Sequence, residues 1–233
     1  GAESVTNSFH SSLPSVPRSW TDEAIVLRTY NVGETDRFCI LLTQDHGRIA
    51  ARANGVRRLL HCHRSGLLSL HCVSVTCEAH SWGTVIVSAT CIDPHAESWR
   101  DPHTFSCAEQ GVELLLRLME DGEPLPEVYH LTRTFLAACS SPHAASLPSV
   151  FALKLLTLLG SCPSLTHSAV SHRSLQADDD SVVCFLRSGG LVTAAEGSGG
   201  LQLSPALSEL LRSVDALSFE QSLKIPTALS GEL

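Results

Sequence analysis

The segment that decides the fold is AIVLRTYNVGETDRFCILLTQDHGRIAARAN, residues 24–54. It contains three short runs that are typical of β-strands: AIVLRTY, RFCILLTQ and GRIAARAN. The turn Gln44-Asp45-His46-Gly47 separates the second run from the third and predicts a hairpin between them. The chain therefore opens with three consecutive predicted strands.

Two more strands are predicted downstream of this segment. HCVSVTCEA, residues 71–79, alternates between two faces, and after the turn Trp82-Gly83 comes TVIVSATCI, residues 84–92. Five short strands with turns between them indicate a small barrel or sandwich, and a five-stranded barrel of this length fits an OB-fold. The pattern alone does not separate an OB-fold from an SH3-like barrel.

Helical periodicity replaces this alternation after the fifth strand. FSCAEQGVELLLRLME, residues 105–120, repeats apolar residues every three to four positions, and a second such pattern begins by Pro126. Ser149 is the predicted cap of a third helix, VFALKLLTLLG, which is apolar nearly all round and should lie at the centre of a helical domain. Residues 161–200 look irregular, and Ser204-Pro205 opens a last helix.

These patterns predict the α+β class, with strands and helices segregated along the chain. A five-stranded OB-fold barrel is expected at residues 20–93, followed by an α-helical domain at residues 94–220 with an irregular insert at 161–200. Residues 1–19 are interpreted as a disordered extension and residues 221–233 as a tail.

The composition fits a globular chain in a reducing compartment. Of the 233 residues, 43% are hydrophobic, so a sizeable core can form. The sequence contains no run of about 18 apolar residues, so no membrane-spanning helix is predicted. The Ser- and Pro-rich start lacks the apolar centre of a signal peptide. The nine cysteines form no CxxC pair, so we interpret them as buried, reduced thiols, which favours a cytoplasmic location.

Charge is distributed unevenly. The formal net charge is -8, yet the segment from Arg28 to Arg64 carries seven arginines against three acids. ANGVRR, residues 53–58, places Arg57 and Arg58 side by side, where both can reach outward from a loop. Because the guanidinium fork can donate two parallel hydrogen bonds to phosphate oxygens, this segment predicts a phosphate-binding surface. For any single arginine, a solvated side chain is the alternative.

Catalytic signatures are absent from the sequence. It contains no nucleophile elbow, HExxH, P-loop or GxGxxG context. The acidic run Asp178-Asp179-Asp180 is interpreted as a solvated loop. The chain is therefore predicted not to be an enzyme, which leaves a nucleic-acid-binding protein or a protein-interaction scaffold.

Three stretches carry a family resemblance: EAIVLRTYNVGETDRFCILLTQDHGRIAARANGVRR (23–58), VELLLRLMEDGEPLPEVYHL (112–131) and FALKLLTLLGSCPSL (151–165). In order and spacing they resemble the recombination mediator RecO. The resemblance implies an N-terminal OB-fold and a helical domain, often with a zinc-binding insert. It implies binding of single- and double-stranded DNA and annealing of complementary strands. It also implies that, with RecR and through contact with single-strand binding protein, the chain helps to load RecA.

OB-folds bind oligonucleotides across one face and its flanking loops. The expected DNA-binding residues are Arg37, Arg48, Arg52, Arg57, Arg58, Arg64 and Tyr30. Tyr30, at a strand end, is the expected base-stacking residue, whereas Phe38 is assigned to the core and Trp82 to turn packing.

The resemblance also implies a site for the acidic, apolar C-terminal tail of single-strand binding protein. An apolar pocket ringed by basic groups is expected in the helical domain, with Arg117, Arg133 and Lys154 as the candidates. No membrane partner is expected, and the predicted location is cytoplasmic, at the nucleoid.

The basic surface departs from the family pattern. Asn54 stands where relatives usually carry lysine, and Leu60 and Cys62 lie where they usually carry Lys or Arg. The DNA-binding surface is therefore expected to be thinner, with lower affinity or greater dependence on partners.

The insert departs as well. Zinc-bearing members have two CxxC pairs, but here Ser168–Ser171 and Thr193–Glu196 stand in those places, so no cofactor is expected. A different set of soft ligands lies nearby, in a spacing that is not a common zinc motif: Cys162, His167, His172 and Cys184.

Overall fold

The computed structural model describes residues 18–55, 67–142, 144–175, 182–185, 189–197, 200–214 and 216–224. Its first half is a closed barrel of five strands: β1 (Arg18–Val32), β2 (Asp36–Thr43), β3 (Arg48–Ala53), β4 (Cys72–His80) and β5 (Gly83–Cys91). All five predicted strands are confirmed. The hairpin between β2 and β3 is confirmed too, with Gly47 at a φ of 72°.

The strand order identifies the type of barrel. The strands follow one another around the barrel as β1-β2-β3-β5-β4, and β4 closes it by pairing with β1. Every pairing is antiparallel except that of β3 with β5, where Ala51 lies opposite Thr84 and Arg52 opposite Val85. This is the Greek-key arrangement of an OB-fold, and it answers the question that the alternation of residues left open.

The barrel interior is filled by small aliphatic side chains and thiols. Val73, Val75 and Cys77 of β4 point inward and are fully buried, as their shared face requires. Burial raises the pKa of the Cys77 thiol, and also that of Cys39, to about 12. Both thiols therefore stay protonated at neutral pH and act as packing groups.

In the described residues, five α-helices follow the barrel: α1 (Pro102–Leu118), α2 (Pro126–Ala138), α3 (Leu147–Leu158), α4 (Pro205–Ser213) and α5 (Phe219–Ser222). Asp101-Pro102 begins α1, because the Asp101 carboxylate accepts the Thr104 amide at 2.8 Å and proline occupies the first turn. Helix α3 begins before the predicted cap, so Ser149 lies inside its first turn. No helix in the described part of the chain is long and apolar enough to cross a membrane.

Barrel and helices share one apolar core. The rings of Phe135 in α2 and Phe151 in α3 stack at 4.4 Å at its centre. Ile25, Leu27 and Leu42, on the outer face of the barrel, belong to the same buried cluster. The barrel is therefore fixed to the helices by apolar packing, which leaves only part of its outer surface open to a ligand.

The insert contains more regular structure than the sequence indicated. Three short strands, β6 (Val182–Phe185), β7 (Gly190–Thr193) and β8 (Leu201–Gln202), form an antiparallel sheet in the order β7-β6-β8. Leu191, Leu203 and Leu207 are buried against one another beneath this sheet, so the insert packs on α4.

Candidate nucleic-acid interface

One cross-strand row crosses the outer face of the barrel. Tyr30 of β1 lies opposite Phe38 of β2, Phe38 opposite Arg52 of β3, and Arg52 opposite Val85 of β5. Residues directly opposite each other share a face of a sheet. Tyr30 is 49% exposed and Arg52 is also exposed. Phe38, which was predicted to be core, lies between them and is partly exposed. We call these four residues the Tyr30–Arg52 row.

The arginine-bearing segment 56–66 lies outside the described residues, but both of its flanks are anchored on the start of β2. The Asp36 carboxylate accepts the Gly55 backbone N–H at 2.8 Å, and the Arg37 guanidinium donates to the Leu67 carbonyl at 2.7 Å. Two adjacent side chains at the start of β2 therefore fix the residues that precede and follow this segment beside the Tyr30–Arg52 row.

Three of the predicted DNA contacts fall inside that segment. They are Arg57, Arg58 and Arg64, which lie outside the described residues, so their contacts with DNA stay predictions.

Arg37 points into the barrel, whereas the sequence predicted an exposed side chain that binds phosphate. It shares the inward face of β2 with Cys39 and Leu41, which are both fully buried. Its Nε is buried and has no hydrogen-bond partner among the described residues. This guanidinium is committed to Leu67 and to the end of the barrel, so we assign it the role of a loop anchor.

Arg48 lies at the junction between barrel and helices. Its Nε donates to the Asp121 carboxylate at 2.7 Å and its Nη1 to the Leu116 carbonyl at 2.8 Å. Arg28 also joins the barrel to a helix, because its Nη2 lies 2.7 Å from Glu113 Oε1 and 3.1 Å from Glu109 Oε2 of α1. The single groove of arginines expected from sequence is therefore not formed by the described residues, because Arg37 lies on the inward face of β2 and the Arg48 guanidinium is held by Asp121 and Leu116.

Arg52 is exposed but has an anionic neighbour. Its Nη2 lies 2.6 Å from the Asp36 carboxylate. The Gly55 amide, the Arg52 guanidinium and the Thr35 hydroxyl hold the pKa of Asp36 down at about 2. Asp36 is therefore ionised at neutral pH, and a phosphate that approaches Arg52 must compete with this carboxylate.

Replacing Asp36 with asparagine is expected to tighten DNA binding. The amide oxygen can still accept the Gly55 N–H, but the charge that competes for Arg52 is gone. We expect affinity for a single-stranded oligonucleotide to rise several-fold. The log–log salt slope should steepen by about 0.7, the value of one added phosphate contact. Titrations monitored by fluorescence anisotropy at several salt concentrations measure both quantities.

The matched control is Glu127→Gln, which makes the same charge change at an exposed position of α2. An equal gain from both variants would show that net charge alone is responsible and would contradict the competition at Arg52.

Sequence reasoning missed an aromatic pair at the tip of the β4–β5 hairpin. Trp82 is 68% exposed, and its ring stacks on that of His80 with 4.8 Å between centroids and 13° between planes. Trp82 precedes by three residues Val85, the last member of the Tyr30–Arg52 row. The indole thus packs on its own turn, as predicted, but most of its surface stays exposed. One signal was present, since Ser81 and Gly83 offer the indole no apolar neighbour along the chain.

The three basic candidates for a partner rim do not surround one pocket. Arg117 is exposed on α1, 3.8 Å from Glu113. Arg133 donates to Glu23 at 3.2 Å at the junction with the barrel, and Lys154 lies 6.0 Å from the centroid of the Phe219 ring.

An apolar groove of about 460 Å³ lies between α1, α3 and α4. Its apolar lining comes mainly from Leu114, Leu153, Leu203, Leu207 and Leu211. Arg117, Arg133 and Lys154 are not among the residues that line it.

The insert has two turns, Ser168–Ser171 and Thr193–Glu196, in the places of the family's CxxC pairs, and these turns lie against each other. They present three hydroxyl groups, of Ser168, Ser171 and Thr193, and one carboxylate, of Glu196. Neutral hydroxyls are poor zinc ligands compared with thiolate or imidazole, so this donor set does not fit the structural zinc ion that the family resemblance implies.

The alternative soft-ligand set is only partly visible. The His167 ring contacts the Thr166 hydroxyl at 2.9 Å, and the Cys184 side chain lies outside the described part of the chain. Among the side chains that are described, no three of His, Cys, Asp and Glu come together as metal ligands.

Comparison with known families matches both halves of the chain. The family described as "Recombination protein O N terminal" matches residues 18–86, and that described as "Recombination protein O C terminal" matches residues 100–230.

Curated relatives agree with these matches. The DNA repair protein RecO of Desulfitobacterium hafniense (strain DSM 10664 / DCB-2) is 32% identical over 158 residues, which is 67% of this chain and 57% of that protein. The DNA repair protein RecO of Cutibacterium acnes is 32% identical over 115 residues, 48% of this chain and 47% of that protein. The matched parts thus span about half of each relative's length.

Proposed function

This chain belongs to the RecO family of DNA repair proteins, and from that premise we propose that it is a non-catalytic mediator of DNA repair and recombination. It binds single- and double-stranded DNA through the Tyr30–Arg52 row and segment 56–66, and it anneals complementary strands. The observation that carries this proposal is the anchoring of both flanks of the arginine-bearing segment beside the row.

Binding of this kind depends on the backbone of the nucleic acid. Each arginine that neutralises a phosphate releases condensed counterions, which gives affinity without sequence preference. Aromatic faces add affinity by stacking on bases. Annealing needs no bond-making, because a protein that holds two strands and screens their mutual repulsion brings complementary bases together.

Replacing Trp82 with alanine should weaken binding of single-stranded DNA. One base stacked on an aromatic ring contributes about 1–3 kcal/mol, so we expect affinity to fall by about 5- to 150-fold. The salt slope should stay the same because tryptophan carries no charge. Anisotropy titration of a labelled oligonucleotide measures both values.

Two controls accompany this variant. Trp82→Phe keeps an aromatic face and should retain most of the affinity. Val87→Ala removes another exposed apolar side chain from β5 and should have no effect. A Trp82→Ala protein that binds as tightly as wild type would exclude the hairpin tip from the interface.

The proposal extends to protein partners. The apolar groove between α1, α3 and α4 is our candidate site for the apolar residues of the C-terminal tail of single-strand binding protein, since it is open and lined by leucines. Together with RecR, the chain would help RecA to assemble on strands covered by that protein. This work would take place in the cytoplasm, at the nucleoid.

A scaffold with weak or lost DNA binding is the alternative. The observation that favours it is the pairing of Arg28, Arg48 and Arg52 with carboxylates in a chain of net charge -8. Titrating a single-stranded oligonucleotide at about 50 and 200 mM salt separates the two functions. Salt-sensitive binding with faster annealing of complementary strands is the outcome expected of a mediator, and no binding at low salt is that expected of a scaffold.

A further inference from the structure

The two turns of the insert are joined by one carboxylate. The buried Ser168 hydroxyl donates to Glu196 Oε2 at 2.6 Å, and the Thr193 amide donates to the same oxygen at 3.2 Å. The Ser171 hydroxyl is a further hydrogen-bonding partner of this carboxylate. Glu196 therefore closes its own turn and ties it to the other.

The Ser168 hydroxyl oxygen also organises the turn to which it belongs. It accepts the amides of Val170 and Ser171 at 3.2 and 3.3 Å, while its proton goes to Glu196. An anionic acceptor strengthens such a chain of hydrogen bonds. The Ser168 and Ser171 hydroxyls and the Thr193 amide lower the pKa of Glu196 to about 2. This acceptor is therefore ionised at neutral pH.

Backbone contacts bring the two segments close together at the same place. The Ala169 amide donates to the Leu191 carbonyl at 2.8 Å. A methyl group on Gly190 would come within 2.5 Å of the Ala169 side chain, so only glycine permits this approach. The cluster thus lies at the closest approach of two segments that are more than twenty residues apart.

We infer that the hydroxyl and carboxylate groups of Ser168, Ser171, Thr193 and Glu196 form a hydrogen-bonded cross-link that holds the insert closed and takes the structural place of a metal ion. The donor set supports this, because it does not suit zinc yet its hydrogen bonds are completed within the cluster. The cross-link also positions Leu203 and Leu207, which are buried under the insert and line the apolar groove.

Hydrogen–deuterium exchange of Ser168→Ala and Glu196→Ala tests the cross-link directly. We expect the amides of residues 168–173 and 190–196 to exchange at least tenfold faster in both variants, while the amides of β1–β5 are unchanged. Glu120→Ala, at an exposed carboxylate outside the insert, is the control and should leave exchange in the insert as it was. Unchanged exchange in Ser168→Ala and Glu196→Ala would overturn the inference.

Two further measurements remain decisive if those variants fold poorly. The wild-type protein should contain no stoichiometric zinc and should keep its Tm in a chelator, whereas one zinc per chain and a lower Tm after chelation would overturn the inference. In the second, thiols replace all four groups in S168C/S171C/T193C/E196C. This variant should bind one Co²⁺ with thiolate charge-transfer absorption, and no binding would contradict the compact arrangement that we assign to the four side chains.

Discussion

Replacing Gly47 with alanine is expected to destabilise the protein by about 2–5 kcal/mol. Gly47 has a left-handed backbone, φ of 72°, which costs other residues about 1–2 kcal/mol. An alanine methyl group here would also overlap the backbone carbonyl of Glu123, in the connection between α1 and α2. Relief of such a clash requires a backbone shift, with a typical cost of about 1–3 kcal/mol.

The surroundings of Gly47 make a local adjustment costly. Its carbonyl accepts both the amide and the hydroxyl of the fully buried Thr43, at 2.9 and 2.7 Å. The next residue, Arg48, accepts the Gly122 amide through its own carbonyl at 2.8 Å. Gly47 is therefore held inside the hairpin by Thr43, and the residue after it is fixed to the connection between α1 and α2.

Gly33→Ala is the matched control for this substitution. Gly33 has a similar φ of 60°, but a methyl group there would meet no atom within 4 Å. The Gly33→Ala variant should lose only the stability that the left-handed backbone costs alanine, about 1–2 kcal/mol. Urea denaturation with an unchanged slope measures both losses. Equal losses in the two variants would show that the contact between the hairpin and Glu123 contributes nothing.

Replacing Arg57 and Arg58 together with alanine should give the largest loss of DNA binding. If each guanidinium neutralises one phosphate of a single strand, the log–log salt slope should flatten by about 1.4. The same two contacts should lower affinity at about 0.1 M salt by tenfold or more. Stability should stay the same, because neither side chain is expected to pack in the core.

The control for this double variant is Arg100→Ala with Arg117→Ala. It removes the same charge from two side chains that are 81% and 77% exposed outside the barrel. If both double variants flatten the slope equally, binding depends on net charge and segment 56–66 has no special role.

The strands of the barrel could be predicted because they repeat every two residues and are separated by turn residues such as Gly47 and Gly83. The OB-fold itself could not be separated from another small barrel in this way. It depends on the parallel pairing of Arg52 with Val85, between residues that are far apart in sequence. Alternation within a strand carries no information about which strand lies beside it.

The contacts of each arginine could not be predicted from sequence either, because they too join residues that are far apart in the chain. Arg48 meets Asp121, and Arg28 meets Glu109 and Glu113, through contacts that only the packing of helices on the barrel creates. Arg37 turns inward because it shares a strand face with buried residues. Of the described candidates, only Arg52 and Tyr30 keep the exposure that a nucleic-acid contact requires.

In the insert, one feature could be predicted from sequence and another could not. The loss of the CxxC pairs was readable from the residue types alone, because serine and threonine cannot replace thiolate. What replaces them was not readable, since the bond from Ser168 to Glu196 joins two turns that meet only in the folded chain.

The central claim is that a DNA strand lies across the Tyr30–Arg52 row and contacts segment 56–66. Hydrogen–deuterium exchange of the wild-type protein, with and without a saturating single-stranded oligonucleotide, tests this most directly. We predict slower exchange on binding in residues 28–38, 50–66 and 80–85, with no change in α2. Protection confined to the helical domain, or no protection in the barrel at saturation, would contradict the claim.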